Sequence, residues 1–368
     1  MSKKALIAMS GGVDSSVAAY LMVKQGYECM GATMKLYTNS DIDIPKGHTC
    51  CSLDDVEDAR YIAQSLDIPY YVLNFSDRFK EDVMDKFVSC YENGITPNPC
   101  IDCNRYLKFE YLFNRAKELG LDYVVTGHYA IIERNEETGR YLLKKSPYLA
   151  KDQSYVLYSL TQEQLAHTMF PLGSMSKDEV RKLAEENGFI NARKHDSQDI
   201  CFVPDGDYVK FIENYTKKLY PHGNFIDKNG NILGEHKGII CYTIGQRKGL
   251  GLSFSEPMYV MNINPVDNTV MLGTNGDLFT KELIADDINW ISLENLNEPI
   301  KIKAKVRYRH TEAPATVYPI EDGKIKVIFD EPQRAITKGQ AVVLYDEDLV
   351  VGGGTIYATT WSLPCCFP

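Results

Sequence analysis

ALIAMSGGVDSS, residues 5–16 of a 368-residue chain, decides how the rest is read. The unbroken apolar run ALIAM suits a strand buried on both faces. Ser10-Gly11-Gly12 then permits a tight turn. VDSSVAAYLMVKQG continues as a helix whose natural stop is Gly26, a left-handed residue just past its end. A strand, a glycine turn and a helix N-terminus together make an anion cradle. The turn exposes backbone N–H groups, Ser10, Ser15 and Ser16 add hydroxyls, and the helix end adds positive partial charge. The loop lacks the lysine and the spacing of G-x-x-x-x-G-K-[ST], so the cradle is of another type.

Outward from this loop, strand-like and helix-like segments alternate. YECMGATMKLY, PYYVLNF and DYVVTGHYA read as strands. SLDDVEDARYIAQSLD and KFEYLFNRAKELG read as helices, the former with Ser52 as N-cap and Asp55 completing a capping-box variant. SKDEVRKLAEENG is one helix more. The order implies an α/β domain, a parallel sheet with helices on both faces and ligands at the carboxyl ends of the strands. Past about Asp207 the pattern changes. FIDKNGNILGEHKG carries Asn229-Gly230, a hairpin signal. IKIKAKVRYRH, ATVYPI, KIKVIF, AVVLY and TIY then read as short strands of a barrel or sandwich. The expected organisation is an α/β domain over 1–206, a small mostly-β domain over 207–285 and a C-terminal β-barrel over 286–368.

Composition narrows the function. With 44% hydrophobic and 24% charged residues the chain is globular. No apolar run reaches the length of a membrane span, and the opening one is too short for a secretory segment, so a cytoplasmic protein is expected. Ten cysteines in such a chain suit metal binding or catalysis better than a disulfide framework. A net charge of −10 argues against general coating of nucleic acid, so any RNA contact needs a local patch. KIKAKVRYR offers one. Lys301, Lys303, Lys305, Arg307 and Arg309 alternate with apolar residues, which on a strand sets cations on one face every ~6.6 Å, roughly the spacing of phosphates. Gln246-Arg247-Lys248, between glycines, is a smaller basic loop.

SGGVDSS is the motif of the PP-loop ATP pyrophosphatases, with their adenine nucleotide α-hydrolase-like fold. These enzymes split ATP into AMP and pyrophosphate and adenylate a substrate oxygen. TPNPCIDCNRYLKFE (96–110), TGHYA (126–130), KDQSYVLY (151–158), SQDICF (197–202) and YTIGQRKGLG (242–251) accompany it. With this set the chain resembles the tRNA-specific 2-thiouridylases of the MnmA type over essentially its whole length. The resemblance implies a sulfurtransferase that uses ATP and Mg²⁺ to make 2-thiouridine at wobble position 34 of tRNAs for Lys, Glu and Gln. It also implies, as partners, tRNA and a persulfide or sulfide donor, either a sulfur-relay protein or a cysteine desulfurase. By the same resemblance ATP is held by Ala8, Met9, Ser10, Gly11, Gly12, Val13, Asp14, Ser15, Met34 and Gly127. The tRNA is met by Asn98, Pro99, Cys100, His128, Lys151, Asp152, Gln153, Arg307, Tyr308 and Gln340. Cys201 carries the persulfide and Cys103 is its partner thiol, and both would gain from an electropositive setting such as Arg105 and Lys108 provide.

The chain departs from the family where N-P-D-x-x-C-N is usual. Cys100 stands in place of the aspartate, so no carboxylate base carries over. Asp102 is a candidate replacement, two residues along an extended segment, though a solvated side chain is the expectation favoured. Two mechanisms stay open. One is a persulfide relay between Cys201 and Cys103. The other is a [4Fe-4S] cluster on Cys100, Cys103 and Cys201, towards which the extra cysteine leans. Cys29, Cys90 and Cys241 read as core or near-core thiols, and Cys50-Cys51 as loop packing or a local ligand pair. Cys365-Cys366 sits in a tail without a functional account. Two other functions fit the loop less well: a PP-loop ligase that adenylates and then aminates, and a tRNA-binding or sulfur-carrier protein without catalysis.

Overall fold

The computed structural model describes residues 2–37, 53–194, 200–203 and 205–359. Ser52, Cys50-Cys51, the first half of SQDICF and Cys365-Cys366 lie outside the described residues. The chain divides into two compact units. One holds residues 1–84, 99–208 and 348–350, the other residues 85–98, 209–347 and 351–368.

In the first unit β1 (Lys4–Ala8) leads through the glycine turn into α1 (Val13–Lys24). β2 (Glu28–Lys35), α2 (Leu53–Ser65), β3 (Tyr70–Asn74) and β4 (Tyr123–Val125) follow. An antiparallel hairpin, β5 (Ala130–Arg134) and β6 (Tyr141–Lys145), precedes the two-residue β7 (Thr168–Met169). The main sheet is parallel throughout, in the order β3-β2-β1-β4-β7, with β1 at its centre. Ala5 and Ile7 point into one core with Val17, Ala18 and Ile62, while Leu6 points into another with Phe113 and Val124. Successive strand residues face opposite sides, and here both sides are dry, so the run has no polar position. Gly26 ends α1 as expected: its φ is +85° and its N–H donates to the Val23 carbonyl at 3.0 Å.

Two local expectations need correction. The strand expected across DYVVTGHYA stops at Val125, and Thr126–Tyr129 leave the sheet at its carboxyl end before β5 begins. The PNPCIDCN stretch is not extended. It is helical from Pro99, as α-helix over Pro99–Asp102, π-type helix over Cys103–Tyr111 and α-helix over Leu112–Glu118. Proline suits the first helical position, where its missing N–H would have had no partner within the helix. Cys100 and Cys103, three apart, therefore lie on neighbouring positions of one helical face. Asp102 is buried, 7% exposed, which overturns the expectation of a solvated side chain.

The second unit opens with a four-stranded sheet of β8 (Gly223–Ile226), β9 (Ile232–His236), β10 (Tyr259–Asn264) and β11 (Thr269–Gly273), in the order β10-β11-β8-β9. Asn229-Gly230 turns between β8 and β9, with Gly230 at φ +83°. Six further strands follow: β12 (Phe279–Trp290), β13 (Ile300–Lys305), β14 (Ala313–Pro319), β15 (Ile325–Arg334), β16 (Ala341–Asp346) and β17 (Leu349–Thr359). They run β12-β15-β14-β13-β16-β17, and β17 pairs back to β12, so the barrel closes and leaves no edge. Leu283, Val317, Val327, Phe329 and Ile356 fill it.

The basic row on this barrel is shorter than the alternation suggested. β13 ends at Lys305, so only Lys301, Lys303 and Lys305 share a strand face. The chain then bends. The Arg307 guanidinium turns back to donate to the carbonyls of Ile244 and Ala335, both at 3.1 Å, and to the Thr337 hydroxyl. Backbone carbonyls drawn from water need donors, and this one outcompetes a fourth place in the row.

Ile7→Ala empties space at the centre of the main sheet and is expected to lower stability by ~2–5 kcal/mol. Lys301→Ala, on an exposed face, should stay within ~0.5 kcal/mol. Urea unfolding of the two variants beside the parent chain checks both.

Candidate active site

A pocket of about 390 Å³ opens at the carboxyl ends of β1, β2 and β4. Ala8, Met9, Ser10, Asp14, Ser15, Met34 and Gly127, all expected nucleotide residues, line it. Gly11 and Gly12 form the turn between them, and Val13 begins α1. Gly11 has φ +73°, and a Cβ there would stand 2.3 Å from the Asp55 carbonyl oxygen, so glycine is required on both counts. Gly127 is the second close approach: a Cβ would lie 2.9 Å from the Ser15 nitrogen at the start of α1. The serines hold the turn in shape. Ser15 Oγ and Ser16 Oγ donate to the Gly12 carbonyl at 3.0 and 3.1 Å, and the Ser10 N–H donates to Ser15 Oγ at 3.2 Å.

Two lysines that no motif flagged brace this loop. Lys177, the first residue of the helix Lys177–Glu186, donates to both carboxylate oxygens of Asp14 at 2.7 and 2.8 Å, and the Tyr129 hydroxyl donates to the same carboxylate at 2.7 Å. Lys194 donates to Asp55 and Asp58, each at 2.6 Å, and to the Gly11 carbonyl at 3.3 Å. Burial works against its charge, but the hydrogen bonds to Asp55 and Asp58 outweigh that and hold its pKa above the usual lysine value. Asn191 adds Nδ2 donations to the Gly11 carbonyl at 3.0 Å and to Ser16 Oγ at 2.9 Å. Lys177 is 163 positions from Asp14, and short-range periodicity carries no signal for such a partner.

Cys100, Cys103 and Cys201 line the same pocket, Cys100 exposed and the other two half-buried. The Tyr37 hydroxyl donates to the Cys201 carbonyl at 2.6 Å, and Phe202 packs edge-on against Phe79. Among the described residues no group of three or more His, Cys, Asp or Glu side chains is gathered closely enough to hold a metal ion. The three thiols line one pocket without gathering into a ligand group, so as arranged they do not fit a cluster.

Of the residues expected to meet tRNA, several prove to be internal. His128 is buried in the pocket wall between the rings of Phe109 and Phe170. Its Nε2 faces Lys108 Nζ at 3.4 Å and its Nδ1 faces Thr126 Oγ1 at 2.6 Å. An ammonium only donates, so Nε2 accepts and the ring proton sits on Nδ1, pointing at Thr126. Burial, and then the charge of Lys108, push the His128 pKa well below 6.5, which leaves it neutral. The Asp152 carboxylate is buried and accepts from Ser146 N–H at 3.0 Å and Ser154 Oγ at 2.7 Å. Gln153 lines the pocket and accepts from the Tyr129 N–H at 3.0 Å, while Lys151 is half-buried in the preceding turn. Pro99 is buried at the pocket edge.

Asn98, Arg307, Tyr308 and Gln340 belong to the second unit. There Gln340 Nε2 donates to the carbonyls of Thr96 and Pro97, both at 3.0 Å, and so fixes the stretch that leads to Asn98. Tyr308 is exposed. In the basic loop Gln246 is occupied by Thr243 and Lys248 backbone, and Arg247 and Lys248 are exposed.

The chain matches the family model described as the tRNA methyl transferase HUP domain over residues 3–205. It matches the tRNA methyl transferase PRC-barrel domain over 209–274 and the aminomethyltransferase beta-barrel domain over 280–356. It is 56% identical over 356 residues to the tRNA-specific 2-thiouridylase MnmA of Clostridioides difficile strain 630, covering 97% of this chain and 98% of that protein. The enzyme of the same name from Acetivibrio thermocellus is 54% identical, with 96% and 99% covered. No helix among the described residues is long and apolar enough to cross a membrane.

A histidine buried neutral binds no proton where the unfolded chain does. Stability should be complete above about pH 6.5 and should fall as the pH drops below it, by up to ~1.4 kcal/mol per pH unit for His128. His236 and His310, also depressed by burial, act in the same sense. His128→Gln is therefore expected to flatten this slope by one proton's worth, measured as urea midpoints between about pH 5 and 8.

Proposed function

The chain belongs to the family of tRNA-specific 2-thiouridylases, and from that premise we propose that it thiolates the wobble uridine, position 34, of tRNAs of the Lys, Glu and Gln type. One observation carries the reading: a single pocket is lined by the glycine–serine loop and by Cys103 and Cys201, residues far apart in sequence. A nucleotide loop alone would serve any adenylating ligase. Thiols lining the same pocket favour sulfur transfer over amination and over a binding protein without catalysis.

The chemistry follows from the weakness of C2=O as an electrophile. The uridine O2 attacks the α-phosphorus of ATP, an O–P bond forms, and pyrophosphate departs with the electrons of the broken P–O bond. AMP is now the leaving group at C2. The terminal sulfur of a Cys201 persulfide attacks C2 and expels AMP with the electrons of the C2–O bond. The Cys103 thiolate then attacks the Cys201 sulfur, releasing 2-thiouridine and leaving a Cys103–Cys201 disulfide. Two electrons from a cellular thiol restore both cysteines. In this reading Ala8 to Ser15, Met34 and Gly127 hold ATP, Asn98, Pro99 and Cys100 flank the target base, and Tyr308 with the exposed lysines of β13 meets the tRNA backbone. Mg²⁺ enters with the nucleotide phosphates, since no gathered ligand group for it exists among the described residues. The sulfur comes from a persulfide donor in the cytoplasm. A [4Fe-4S] cluster on Cys100, Cys103 and Cys201 has less support, because those thiols do not converge.

Cys103→Ser and Cys201→Ser are each expected to lower 2-thiouridine formation at least ~100-fold, and Cys100→Ser less than ~10-fold. Nucleoside mass spectrometry of tRNA incubated with each variant reads this out. A pool of 2-thiouridine unchanged by the parent chain would sink the proposal. Thiolation that tracks the iron and sulfide content of anaerobically purified protein would replace the relay with the cluster.

A further inference from the structure

Three lysines stand around the phosphate loop, and they differ in what cancels their charge. Lys177 is paired with the Asp14 carboxylate and Lys194 with Asp55 and Asp58. Lys108 has no carboxylate partner among the described residues; its contact is the neutral imidazole of His128 at 3.4 Å. It is also the only lysine or arginine among the described residues lining the pocket, and it is half-buried there. A neutral acceptor orients an ammonium without neutralising it, and it takes one of three protons. The arrangement looks built in depth. With Nε2 accepting from the Lys108 ammonium, the ring proton sits on Nδ1 and is donated to Thr126, and Phe109 and Phe170 pack against the ring. The result is a positive charge that no carboxylate among the described residues offsets, in a pocket shared with Ser10, Ser15, Cys103 and Cys201.

Such a charge stabilises an anion that forms during the reaction rather than one already paired. In the 2-thiouridylase reading, on which this rests, that anion is the α-phosphate. Negative charge builds on it when pyrophosphate leaves and again when AMP is expelled from C2. We infer that Lys108 is a catalytic residue that donates hydrogen bonds to the α-phosphate in both steps, with His128 and Thr126 as its positioning residues. Lys108 forms and breaks no covalent bond; its protons stay on it throughout.

The test uses the full chain with an unmodified tRNA transcript, ATP-Mg, a low-molecular-weight persulfide and excess thiol, so that the enzyme turns over, and reads tRNA-dependent pyrophosphate release. Lys108→Met is expected to lower kcat ~10²–10³-fold with the KM for ATP within ~3-fold. Lys108→Gln, which keeps a donor for His128 without the charge, should be as impaired, and Lys108→Arg should recover part of the rate. Thermal melting of each variant separates this from misfolding, and Lys108→Gln carries the test if Lys108→Met melts early. Near-parental kcat in Lys108→Gln, or a loss confined to the KM for ATP, would overturn the inference. A parent chain that releases no pyrophosphate with tRNA would bring down the thiolation reading and this inference together.

Discussion

The first unit depends on how one peptide group is held. The Gly11 carbonyl accepts from Asn191 Nδ2 at 3.0 Å and from Lys194 Nζ at 3.3 Å. A trans peptide is planar, so a carbonyl fixed on that side turns the Gly12 N–H to the opposite one. Gly11 can take part only because it has no Cβ: one would lie against the Asp55 backbone, and Lys194 reaches the Asp55 carboxylate as well. The end of β1, the first turns of α2 and the segment 191–194 thus meet at one point. The same segment leads in sequence towards Cys201, which lines the pocket together with Ser10 and Ser15 of the phosphate loop.

Charge around that point is distributed with a purpose that pairwise lists would miss. The Asp14–Lys177 and Asp55–Lys194 pairs are partly buried, and each desolvated charge meets an opposite one and further hydrogen bonds. That is the condition under which such pairs hold structure without costing it. Neither group leaves a positive charge for a ligand, since Lys177 faces Asp14 and Lys194 faces both Asp55 and Asp58. Of the three lysines, Lys108, which lines the pocket, is the one whose partner among the described residues is neutral. Scaffold and chemistry therefore use the same residue type with different neighbours, and the neighbours decide which is which.

The route from motif to site was clear where the signal was local. β1, the turn and α1 could be read from twelve residues, and the parallel sheet from the alternation that follows. The barrel strands were legible from their spacing, though not the closure of β17 on β12. Reading failed where two local rules competed. Asp102 was read on an extended segment two residues from Cys100, yet Pro99 begins a helix there, because the first helical turn is the place where proline costs nothing. The alternation of cations in KIKAKVRYR was real for three positions. It ended where Arg307 met the carbonyls of Ile244 and Ala335, acceptors tens of residues distant in the chain.

The amino-acid sequence by itself determined the class of fold, the anion cradle and the family, because these rest on residues adjacent in the chain and on periodicities of two and 3.6. Tertiary structure alone decided that Cys103 and Cys201 line one pocket, that Asp102 is buried and that His128 is a neutral buried acceptor. It also decided which of the three lysines has no carboxylate partner among the described residues. Those outcomes depend on desolvation and on partners brought together by folding, and neither exists until the sheet and its loops have closed around the pocket.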